Sequence, residues 1–337
     1  MQRHLVAISD SVFPNLDLAA AVLARVNGEI RLAKDHKPDA ILAVARDADA
    51  LMTTYAKITG DMIRQLTRCR IIARFGVGID NIDVPVATKQ GILVTRVPDY
   101  CLDEVSENTM ALLLALARKI TFANSRTHAG AWKLTEVVPL HRVRGRVLGL
   151  VAFGQIPQLV APKAKAFGMR VVTYDPHVSD EVLSRSAVER VDFHELISIS
   201  DFISIHTPLM PATYHLFNAD VFSRMKPGAY LINTARGPII DEAALADALD
   251  MQQIGGAALD VLEKEPPGDS PLFGRDNVIV TPHTSFYSEE SLVDLQTRAS
   301  EEVVRVLSGQ TPRNLVNPEV LQSAPRSGAN PASGASH

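Results

Sequence analysis

Short apolar segments alternate with stretches of helix-like periodicity along most of the chain. This alternation predicts parallel β-strands that are joined by crossover helices. In the first third, the predicted strands are His4–Ile8, Ala40–Val44, Arg70–Arg74 and Ile92–Thr95, and the predicted helices are Leu16–Arg25, Asp61–Leu66 and Val84–Lys89.

A longer helical pattern follows, from about Asp103 to Gly130. At a rise of about 1.5 Å per residue, such a helix would extend about 40 Å. A helix of that length can lead from one domain into another, so we place the first domain boundary near Tyr100. The apolar positions of the pattern include Val105, Met110, Leu113, Leu114, Leu116 and Ala117.

A second alternating series begins at Arg146. Strands that alternate with helices in this number are typical of a complete dinucleotide-binding fold. A last helical pattern, Ser288–Leu307, is expected to return to the first domain. The predicted strands of the second series are Val147–Ala152, Arg170–Tyr174, Phe202–His206, Ala229–Asn233, Ala257–Asp260 and Val278–Thr281.

The composition is that of a globular protein, with 46% hydrophobic and 21% charged residues in a chain of 337. This length suits two domains. The stretch 323–337 is rich in Ser, Ala, Gly, Pro and Asn and has too few apolar side chains to offset its ordering entropy, so we predict a disordered tail.

The charge and the cysteines exclude several classes of partner. The formal net charge of −4 gives no basic footprint for nucleic acid or anionic lipid. The chain has neither a signal-peptide pattern nor an apolar run that could span a membrane, so we expect a cytoplasmic protein. Cys69 and Cys101 lack a Cys/His cluster around them, which argues against a disulfide scaffold and against a metal site.

The start of the second series has the features of a nucleotide-binding βαβ unit. The first strand runs into Ala152-Phe153-Gly154-Gln155-Ile156-Pro157, and Asp175 follows the next strand, 21 residues after Gly154. An acidic residue at this separation accepts hydrogen bonds from the adenosine ribose in dinucleotide-binding folds. Because it would repel a 2′-phosphate, Asp175 favours NAD over NADP.

The glycine fingerprint of this loop is altered, since Ala152 and Pro157 occupy two of its three glycine positions. Pro157 falls in the first turn of the predicted helix, where its missing N–H costs little. Ala152 is harder to accommodate, because the first glycine serves the tight turn. We expect strain or weaker cofactor binding there, and the motif alone leaves open a βαβ unit that binds no nucleotide.

Several further segments, in one order and spacing, resemble the D-isomer-specific 2-hydroxyacid dehydrogenases. The resemblance covers roughly residues 40–317 and is closest to the bacterial branch that is similar to the C-terminal binding proteins. The matching segments are Arg74-Phe-Gly-Val-Gly-Ile-Asp-Asn-Ile-Asp83, Phe167-Gly-Met-Arg-Val-Val-Thr-Tyr-Asp-Pro176, His206-Thr-Pro-Leu209, Asn233-Thr-Ala-Arg-Gly237, Leu259-Asp-Val-Leu-Glu-Lys-Glu-Pro-Pro267 and Thr281-Pro-His283.

Together with the strand pattern, this resemblance predicts an α/β protein with two Rossmann-like domains. A doubly wound parallel-sheet NAD-binding domain, residues 101–287, would be inserted in a smaller flavodoxin-like substrate domain, residues 1–100 and 288–322. The resemblance also implies a homodimer formed through the long helix that starts near Asp103.

The resemblance places three catalytic residues at Arg236, Glu265 and His283, and their chemistry suits reduction of a 2-keto acid. His283 is a proton donor of the kind that acts near neutral pH. Glu265 would favour and orient its protonated form. Arg236 offers a charged planar fork for the substrate carboxylate and carbonyl. Taken singly, each residue would be interpreted as an ordinary loop or surface residue.

The remaining site residues also follow from the resemblance. Val77 and Gly78 would hold the substrate carboxylate together with Arg236 and His283, and Gly76-Val77-Gly78 permits close backbone approach. Asp260 is expected near the nicotinamide carboxamide, although a buried Asp there could instead cap a helix. The residues predicted to bind NAD are Val77, Gly154, Gln155, Ile156, Asp175, His206, Thr207, Pro208, Thr234, Ala235, Arg236, Asp260 and His283.

The sequence departs from these relatives at Phe286, where many of them carry Trp, so the substrate pocket is expected to differ in shape. Tyr100 and Cys101 lie at the predicted domain crossing and receive no role. Without an obvious arginine cluster for a phosphate, the chain favours a small unphosphorylated 2-hydroxy or 2-keto acid. Two alternatives remain: an NAD(H)-sensing, corepressor-like dimer with little catalysis, and a dehydrogenase of another small anion such as phosphite.

Overall fold

A computed structural model describes residues 3–322, so the stretch predicted to be a disordered tail lies outside the described residues. The chain divides into two compact units. Unit 1 consists of Met1–Tyr100 and Ser288–His337, and unit 2 is Cys101–Tyr287, so unit 2 is inserted within the sequence of unit 1. Within residues 3–322, no helix combines the length and the apolar character that crossing a membrane requires.

Unit 1 is built on a five-stranded parallel sheet. Its strands are β1 (His4–Ile8), β2 (Gly28–Leu32), β3 (Ala50–Thr53), β4 (Ile71–Arg74) and β5 (Leu93–Thr95), and its first helices are α1 (Asp17–Leu23), α2 (Pro38–Ala45), α3 (Gly60–Ile63) and α4 (Val84–Lys89). The strand order is β2-β1-β3-β4-β5, which is the order of flavodoxin-like sheets.

The prediction of a strand at Ala40–Val44 is wrong, because this segment lies within α2. Pro38 and Asp39 occupy the first turn of α2, where a proline and an acidic residue favour helix initiation. The helix buries most of its short apolar run, and a short apolar run does not distinguish a buried helix from a buried strand. The sequence interpretation also missed β2 and β3, which complete this part of the sheet.

Unit 2 is built on a seven-stranded parallel sheet. Its helices are α5 (Leu102–Ala117), α6 (Ile120–His128), α7 (Gln155–Ala166), α8 (Asp180–Ser186), α9 (Phe193–Ile199), α10 (Ala219–Arg224) and α11 (Glu242–Asp250). Its strands are β6 (Val147–Val151), β7 (Arg170–Tyr174), β8 (Glu189–Arg190), β9 (Phe202–Ile205), β10 (Tyr230–Asn233), β11 (Gly256–Leu259) and β12 (Val278–Val280).

The strand order in unit 2 is β12-β11-β10-β9-β6-β7-β8, and it reverses direction between β6 and β9. The parallel α/β fold class predicted from the sequence is therefore confirmed, including all six strands predicted for this unit, each within one residue at either end. Only β8 was missed. It has two residues, both exposed, so it carries no apolar pattern.

The single helix predicted for Asp103–Gly130 is also wrong, because α5 ends at Ala117 and α6 begins at Ile120. Between them, Lys119 adopts a left-handed backbone conformation with φ of 50°, which ends the helical path. The 16 residues of α5 extend only about 24 Å. All the apolar positions of the predicted pattern lie in α5, whereas α6 buries none of its residues.

The last helix, α12 (Glu289–Leu307), belongs to unit 1. Ser288 and Ser291 form a reciprocal capping box at its N-terminus, which fixes where the helix begins. Short 3₁₀-helices lie at Ala24–Val26, Leu134–Glu136, Gly237–Ile239 and Pro318–Gln322.

Two hydrophobic cores cover the two faces of the sheet in unit 2. Along β9, Phe202 packs into the core on the side of α5 and α7, and the next residue, Ile203, packs into the core on the side of α10 and α11. This alternation follows from the opposite orientation of successive side chains in a strand. Because helices cover both faces, the ends of the strands are where unit 2 can present functional groups.

Candidate functional site

The carboxyl ends of the parallel strands in unit 2 meet at one edge of the sheet, which we call the carboxyl edge. In open α/β sheets, ligands bind at this edge where the strand order reverses, which here is between β6 and β9. The predicted site residues of unit 2 all follow its strands at this edge: Gly154 to Ile156 after β6, Asp175 after β7, His206 to Pro208 after β9, Thr234 to Arg236 after β10, Asp260 and Glu265 after β11, and His283 after β12.

The loop that joins β6 to α7 (residues 152–154), which we call the phosphate loop, leaves the N-terminus of α7 open to a ligand. Gly154 is the N-cap residue of α7, and a Cβ added to it would meet no described atom within 4 Å. No side chain in the described part of the chain caps this helix end. The amides of Gln155 and Ile156, which have no partner within the helix, therefore begin a 12-residue helix whose N-terminus attracts anions, which fits the pyrophosphate of a dinucleotide.

Ala152 occupies the first glycine position of the fingerprint, and its backbone is left-handed, with φ of 76°. A left-handed conformation costs an L-residue about 1–2 kcal/mol, which is the kind of strain expected from the sequence. Pro157 is a buried residue and the third residue of α7. The first amides of a helix have no partner within the helix, so the N–H that proline lacks costs no helical hydrogen bond here.

Asp175 links the phosphate loop to the segment that follows β7. Its Oδ2 accepts a hydrogen bond from the amide of Phe153 at 2.8 Å, and its Oδ1 accepts from the amides of His177 and Val178 at 2.7 and 3.2 Å. The carboxylate is thus fixed beside the loop that leads to Gly154. Each oxygen has two lone pairs, so Oδ2 retains capacity for a ribose hydroxyl.

His206 follows β9, and its Nε2 lies 2.9 Å from the hydroxyl of Ser204. Burial lowers the pKa of His206 to about 3, so its imidazole is neutral near pH 7. Thr207 is almost fully buried next to it, whereas Pro208 is exposed. This segment therefore presents an uncharged surface at the carboxyl edge.

Asn233, the last residue of β10, shapes the loop that carries Arg236. Its fully buried side chain donates to the carbonyl of Arg236 and accepts from the amide of Ala235, both at 2.9 Å. The Arg236 guanidinium also donates to the carbonyl of Ala235 at 2.7 Å. We did not assign Asn233 a role from the sequence, although a polar residue at the end of a buried strand is a signal for a loop-forming side chain.

Gly237 brings the loop after β10 against the loop after β11. A Cβ on Gly237 would lie 1.9 Å from the carbonyl carbon of Leu262 and 2.5 Å from the amide nitrogen of Glu263. Only glycine permits this approach of two backbones. The segment next to Arg236 is thereby packed against the segment that leads to Glu265.

His283 and Glu265 form a close pair: Nδ1 of His283 lies 2.6 Å from Oε2 of Glu265. The other carboxylate oxygen of Glu265 accepts from the amide of Leu262 at 3.1 Å, which orients the carboxylate. His283 itself has a left-handed backbone, with φ of 54°. Strained residues of this kind occur at functional sites, where surrounding contacts hold them. The Phe286 ring lies edge-on to the imidazole, with centroids 6.3 Å apart.

Asp260 is buried and holds the loop on which His283 lies. Its carboxylate accepts hydrogen bonds from the Thr281 hydroxyl at 2.5 Å and from the amides of Thr284 and Ser285 at 2.9 and 2.8 Å. These partners lie in the loop before α12, whose N-cap is Ser288, so Asp260 holds a loop and is not the helix cap that the sequence offered as an alternative. They fix the backbone on both sides of His283.

Val77 and Gly78 belong to unit 1, where they follow β4 at the carboxyl end of its sheet. Gly76 before them has a φ of 149°, and a Cβ on it would lie 2.3 Å from Nη1 of Arg74. Nε of Arg74 also donates to the side-chain oxygen of Asn81 at 3.3 Å. The loop from Gly76 to Asn81 is therefore folded around the Arg74 side chain. Tyr100 and Cys101, where the two units divide, are both buried.

Within residues 3–322, no group of three or more His, Cys, Asp or Glu side chains is arranged to hold a metal ion. Cys69 and Cys101 are buried and do not form a disulfide.

Residues 110–285 match the family model for the NAD binding domain of D-isomer specific 2-hydroxyacid dehydrogenases. The chain is 41% identical over 294 residues to D-3-phosphoglycerate dehydrogenase of Methanocaldococcus jannaschii, covering 86% of this chain and 56% of the relative. It is 39% identical over 307 residues to glyoxylate reductase of Thermococcus litoralis, covering 88% of this chain and 93% of the relative.

Among solved structures, the chain is similar to D-lactate dehydrogenase from Aquifex aeolicus, whose crystal structure holds NAD and lactic acid. The TM-score is 0.84 at 28% sequence identity, and the match covers 93% of this chain and 99% of the other. The chain thus spans little more than half of the phosphoglycerate dehydrogenase but nearly the full length of the glyoxylate reductase and the lactate dehydrogenase.

Proposed function

Because the chain belongs to the family of D-isomer-specific 2-hydroxyacid dehydrogenases, we propose that it is an NAD-dependent dehydrogenase that interconverts a small 2-hydroxy acid and the corresponding 2-keto acid. The observation that carries this proposal is the 2.6 Å pair of His283 and Glu265 at the same sheet edge as the phosphate loop. Such a pair is a proton donor and acceptor held in one orientation.

The carboxyl edge of unit 2 has the features that a bound NAD needs. The open N-terminus of α7 suits the pyrophosphate, Asp175 suits the adenosine ribose, and the segment from His206 to Pro208 suits the adenine side. Thr234, Ala235 and Asp260 then belong to the nicotinamide side, since they follow β10 and β11, which lie farther from β7 and Asp175 in the sheet than β9 does. When bound, reduced NAD supplies the hydride for the carbonyl carbon of the keto acid.

The proton for the carbonyl oxygen comes from His283. The Glu265 carboxylate lies against Nδ1, so it orients the ring and leaves Nε2 as the atom that donates. Arg236 binds the substrate carboxylate and polarises the carbonyl, because its guanidinium stays charged and has paired donors. In the oxidation direction, His283 accepts the proton of the hydroxyl.

The proposed substrate is a small unphosphorylated acid, of the size of glyoxylate, pyruvate or hydroxypyruvate. The nearly full-length similarity to a glyoxylate reductase and to a lactate dehydrogenase supports this size class. The phosphoglycerate dehydrogenase relative is considerably longer than the part that matches, so it carries less weight for the whole reaction.

A second candidate is an NAD(H)-sensing, corepressor-like protein with little catalysis, and Ala152 is the observation that favours it. Its left-handed backbone in the phosphate loop is a cost that most nucleotide-binding loops avoid with glycine. Against this candidate stands the intact set of Arg236, Glu265 and His283. A dehydrogenase of another small anion such as phosphite is a further alternative.

A homodimer is part of the proposal, formed by unit 2 through α6 and the segment after it. Four large apolar side chains there are exposed: Ile120 by 55%, Trp132 by 89%, Leu134 by 77% and Val138 by 51%. An exposed apolar patch of this kind marks a protein interface. Trp132→Glu with Leu134→Glu should convert a dimer into a monomer in sedimentation, whereas Met251→Glu, an exposed apolar position elsewhere in unit 2, should not. A wild-type chain that sediments as a monomer contradicts the dimer.

The activity is tested by NADH titration followed by a panel of keto acids. We expect micromolar NADH binding by fluorescence transfer and turnover of at least one of glyoxylate, pyruvate and hydroxypyruvate. His283→Ala should abolish turnover and leave the NADH Kd within about twofold. Failure to bind NADH at millimolar concentration overturns the dehydrogenase, and tight NADH binding without turnover of any panel member favours the sensing protein.

A further inference from the structure

The first half of α5 carries three uncharged polar side chains, Ser106, Asn108 and Thr109, next to apolar residues that pack into the core. Ser106 and Thr109 are fully buried, and Asn108 is partly buried between them. Buried polar groups cost free energy unless they are hydrogen-bonded. All three have partners, and each partner lies on a different segment that leads to or from a loop of the candidate site.

Asn108 contacts the loop that carries His283. Its side-chain amide donates to the hydroxyl of Ser285 at 2.5 Å. Ser285 is buried two residues after His283, and its amide donates to the carboxylate of Asp260 at 2.8 Å. Since the amide of His283 donates to the carbonyl of Asp260 at 2.8 Å, Asn108 adds a contact from α5 to a loop that Asp260 also holds.

Thr109 contacts the loop that carries Arg236. Its Oγ1 lies 3.1 Å from the hydroxyl of Thr234, which is two residues before Arg236. The Thr109 hydroxyl already donates to the carbonyl of Val105 at 2.8 Å, so Thr234 is the donor in this pair. Thr109 is thus a buried acceptor for a hydrogen bond from the loop that carries Arg236.

Ser106, one turn earlier, accepts from Nζ of Lys163 at 2.7 Å. Lys163 lies on α7, which begins at the phosphate loop. Within four residues, α5 therefore contacts the elements that carry the phosphate loop, the Arg236 loop and the His283 loop. A rigid helix with neighbouring contacts to two loops fixes the spacing between those loops.

We propose that Asn108 and Thr109 are positioning residues that set the distance between the Arg236 loop and the His283 loop. Their kinetic effect rests on the proposed dehydrogenase function. A misplacement of about 1 Å between groups that act on one substrate costs about 100-fold in rate, so even a small release of either loop lowers turnover.

Thr109 provides the sharper test, because the side chain can be changed in two ways. Thr109→Val keeps the shape and removes the acceptor, whereas Thr109→Ser keeps the acceptor. We expect Thr109→Val to lower kcat about tenfold, with the NADH Kd within twofold, and Thr109→Ser to retain at least half of the wild-type kcat.

Thr88 of unit 1 supplies a matched control. Like Thr109, it lies in a helix, donates to the carbonyl four residues earlier at 2.9 Å and accepts from a side chain, here Asn317 at 3.0 Å. Thr88→Val makes the same chemical change in unit 1, whereas the candidate site is carried by unit 2. It should lower Tm by an amount similar to Thr109→Val and leave kcat unchanged.

Asn108 is tested in a double-mutant cycle with Ser285, the residue to which its side chain donates. Asn108→Ala and Ser285→Ala should each lower kcat about tenfold, and the double variant should be no slower than either single variant, because both remove one contact. Additive losses in the double variant overturn the assignment of Asn108.

Hydrogen–deuterium exchange gives a readout that does not need turnover. In Thr109→Val, exchange should accelerate in residues 233–237, and in Asn108→Ala it should accelerate in residues 281–286, with no such change in Thr88→Val. If the wild type reduces no keto acid but these changes occur, the proposed function fails and the positioning role stands. Unchanged exchange in both loops, or faster exchange with unchanged kcat in an active wild type, overturns the positioning role.

Discussion

The imidazole of His283 lies 2.6 Å, Nδ1 to Oε2, from the carboxylate of Glu265, although the two residues follow different strands of the sheet in unit 2. Glu265 reaches this position because Leu262 fixes its other oxygen, and His283 reaches it because Asp260 holds the surrounding loop. The pair is therefore held from both sides, which is the condition for a proton donor of fixed orientation.

Replacing Glu265 should slow the chemistry without affecting the cofactor. Glu265→Gln keeps the shape but removes the charge from the group that orients His283 through Nδ1, so we expect kcat to fall about 10- to 100-fold and the NADH Kd to stay within twofold. Steady-state kinetics and NADH fluorescence measure both. Glu263→Gln, on the same loop, is the control and should keep full activity. Equal losses in the two variants would mean that the charge of the loop matters and the His283 contact does not.

Gly237→Ala should be among the most damaging single-methyl additions in unit 2. The new Cβ would meet the backbone of Leu262 at 1.9 Å, so one of the two loops must move. We expect a loss of about 2–4 kcal/mol in the free energy of unfolding, together with at least a tenfold loss of kcat. Gly268→Ala, where φ is 59° but no described atom lies within 4 Å of the Cβ, should cost about 1 kcal/mol. Denaturant unfolding of both variants compares the effect of a steric clash with that of backbone strain alone. Similar losses of unfolding free energy in the two variants would contradict the close approach of Gly237 to Leu262.

Ala152→Gly should stabilise the protein and strengthen cofactor binding. Glycine removes the strain of the left-handed backbone at φ of 76°, and we expect a gain of about 1 kcal/mol in unfolding free energy. Because the residue lies in the phosphate loop, the NADH Kd should also fall severalfold. Ala187→Gly relieves a left-handed alanine at the end of α8, with φ of 48°, and should stabilise without changing the NADH Kd. A Kd that Ala152→Gly leaves unchanged would show that the strained turn does not limit binding.

The neutral state of His206 predicts a pH dependence of stability. Its folded-state pKa of about 3 lies below the ordinary value of 6.5, so between these two values the unfolded state binds more protons than the folded state. The contribution is fully present above pH 6.5 and is lost as pH falls towards 3, by at most about 1.4 kcal/mol per pH unit. His206→Gln should reduce the loss of stability between pH 7 and pH 5, measured by denaturant unfolding. An identical pH dependence in wild type and variant would rule out His206 as the source.

The sheet of unit 2 could be predicted because its strands are apolar and bounded by turn residues, as the close agreement for β7 illustrates. Where the local pattern is ambiguous, the prediction failed. The short apolar run at Ala40–Val44 is compatible with both a buried helix and a buried strand. The break between α5 and α6 at Lys119 has neither a glycine nor a proline to signal it. Both errors come from features that tertiary packing decides.

For the candidate site, sequence motifs located the loops but not the contacts between them. The resemblance named His283 and Glu265, and their spatial proximity could be anticipated only from the family. The approach of Gly237 to Leu262 joins two loops, and the bond from Asn108 to Ser285 joins residues 177 positions apart. No periodicity or local motif records contacts of this range, because they depend on the order of strands in the sheet.

We propose that this chain transfers a hydride between NAD(H) and the second carbon of a small acid. This transfer is tested most directly by incubating the wild-type protein with NADH that carries deuterium at both C4 positions of the nicotinamide and with pyruvate or hydroxypyruvate, followed by mass spectrometry and chiral separation of the product. We predict a 2-hydroxy acid that carries one deuterium at C2 and has the D configuration. An unlabelled product, an L product, or no hydroxy acid from either keto acid or from glyoxylate would contradict it.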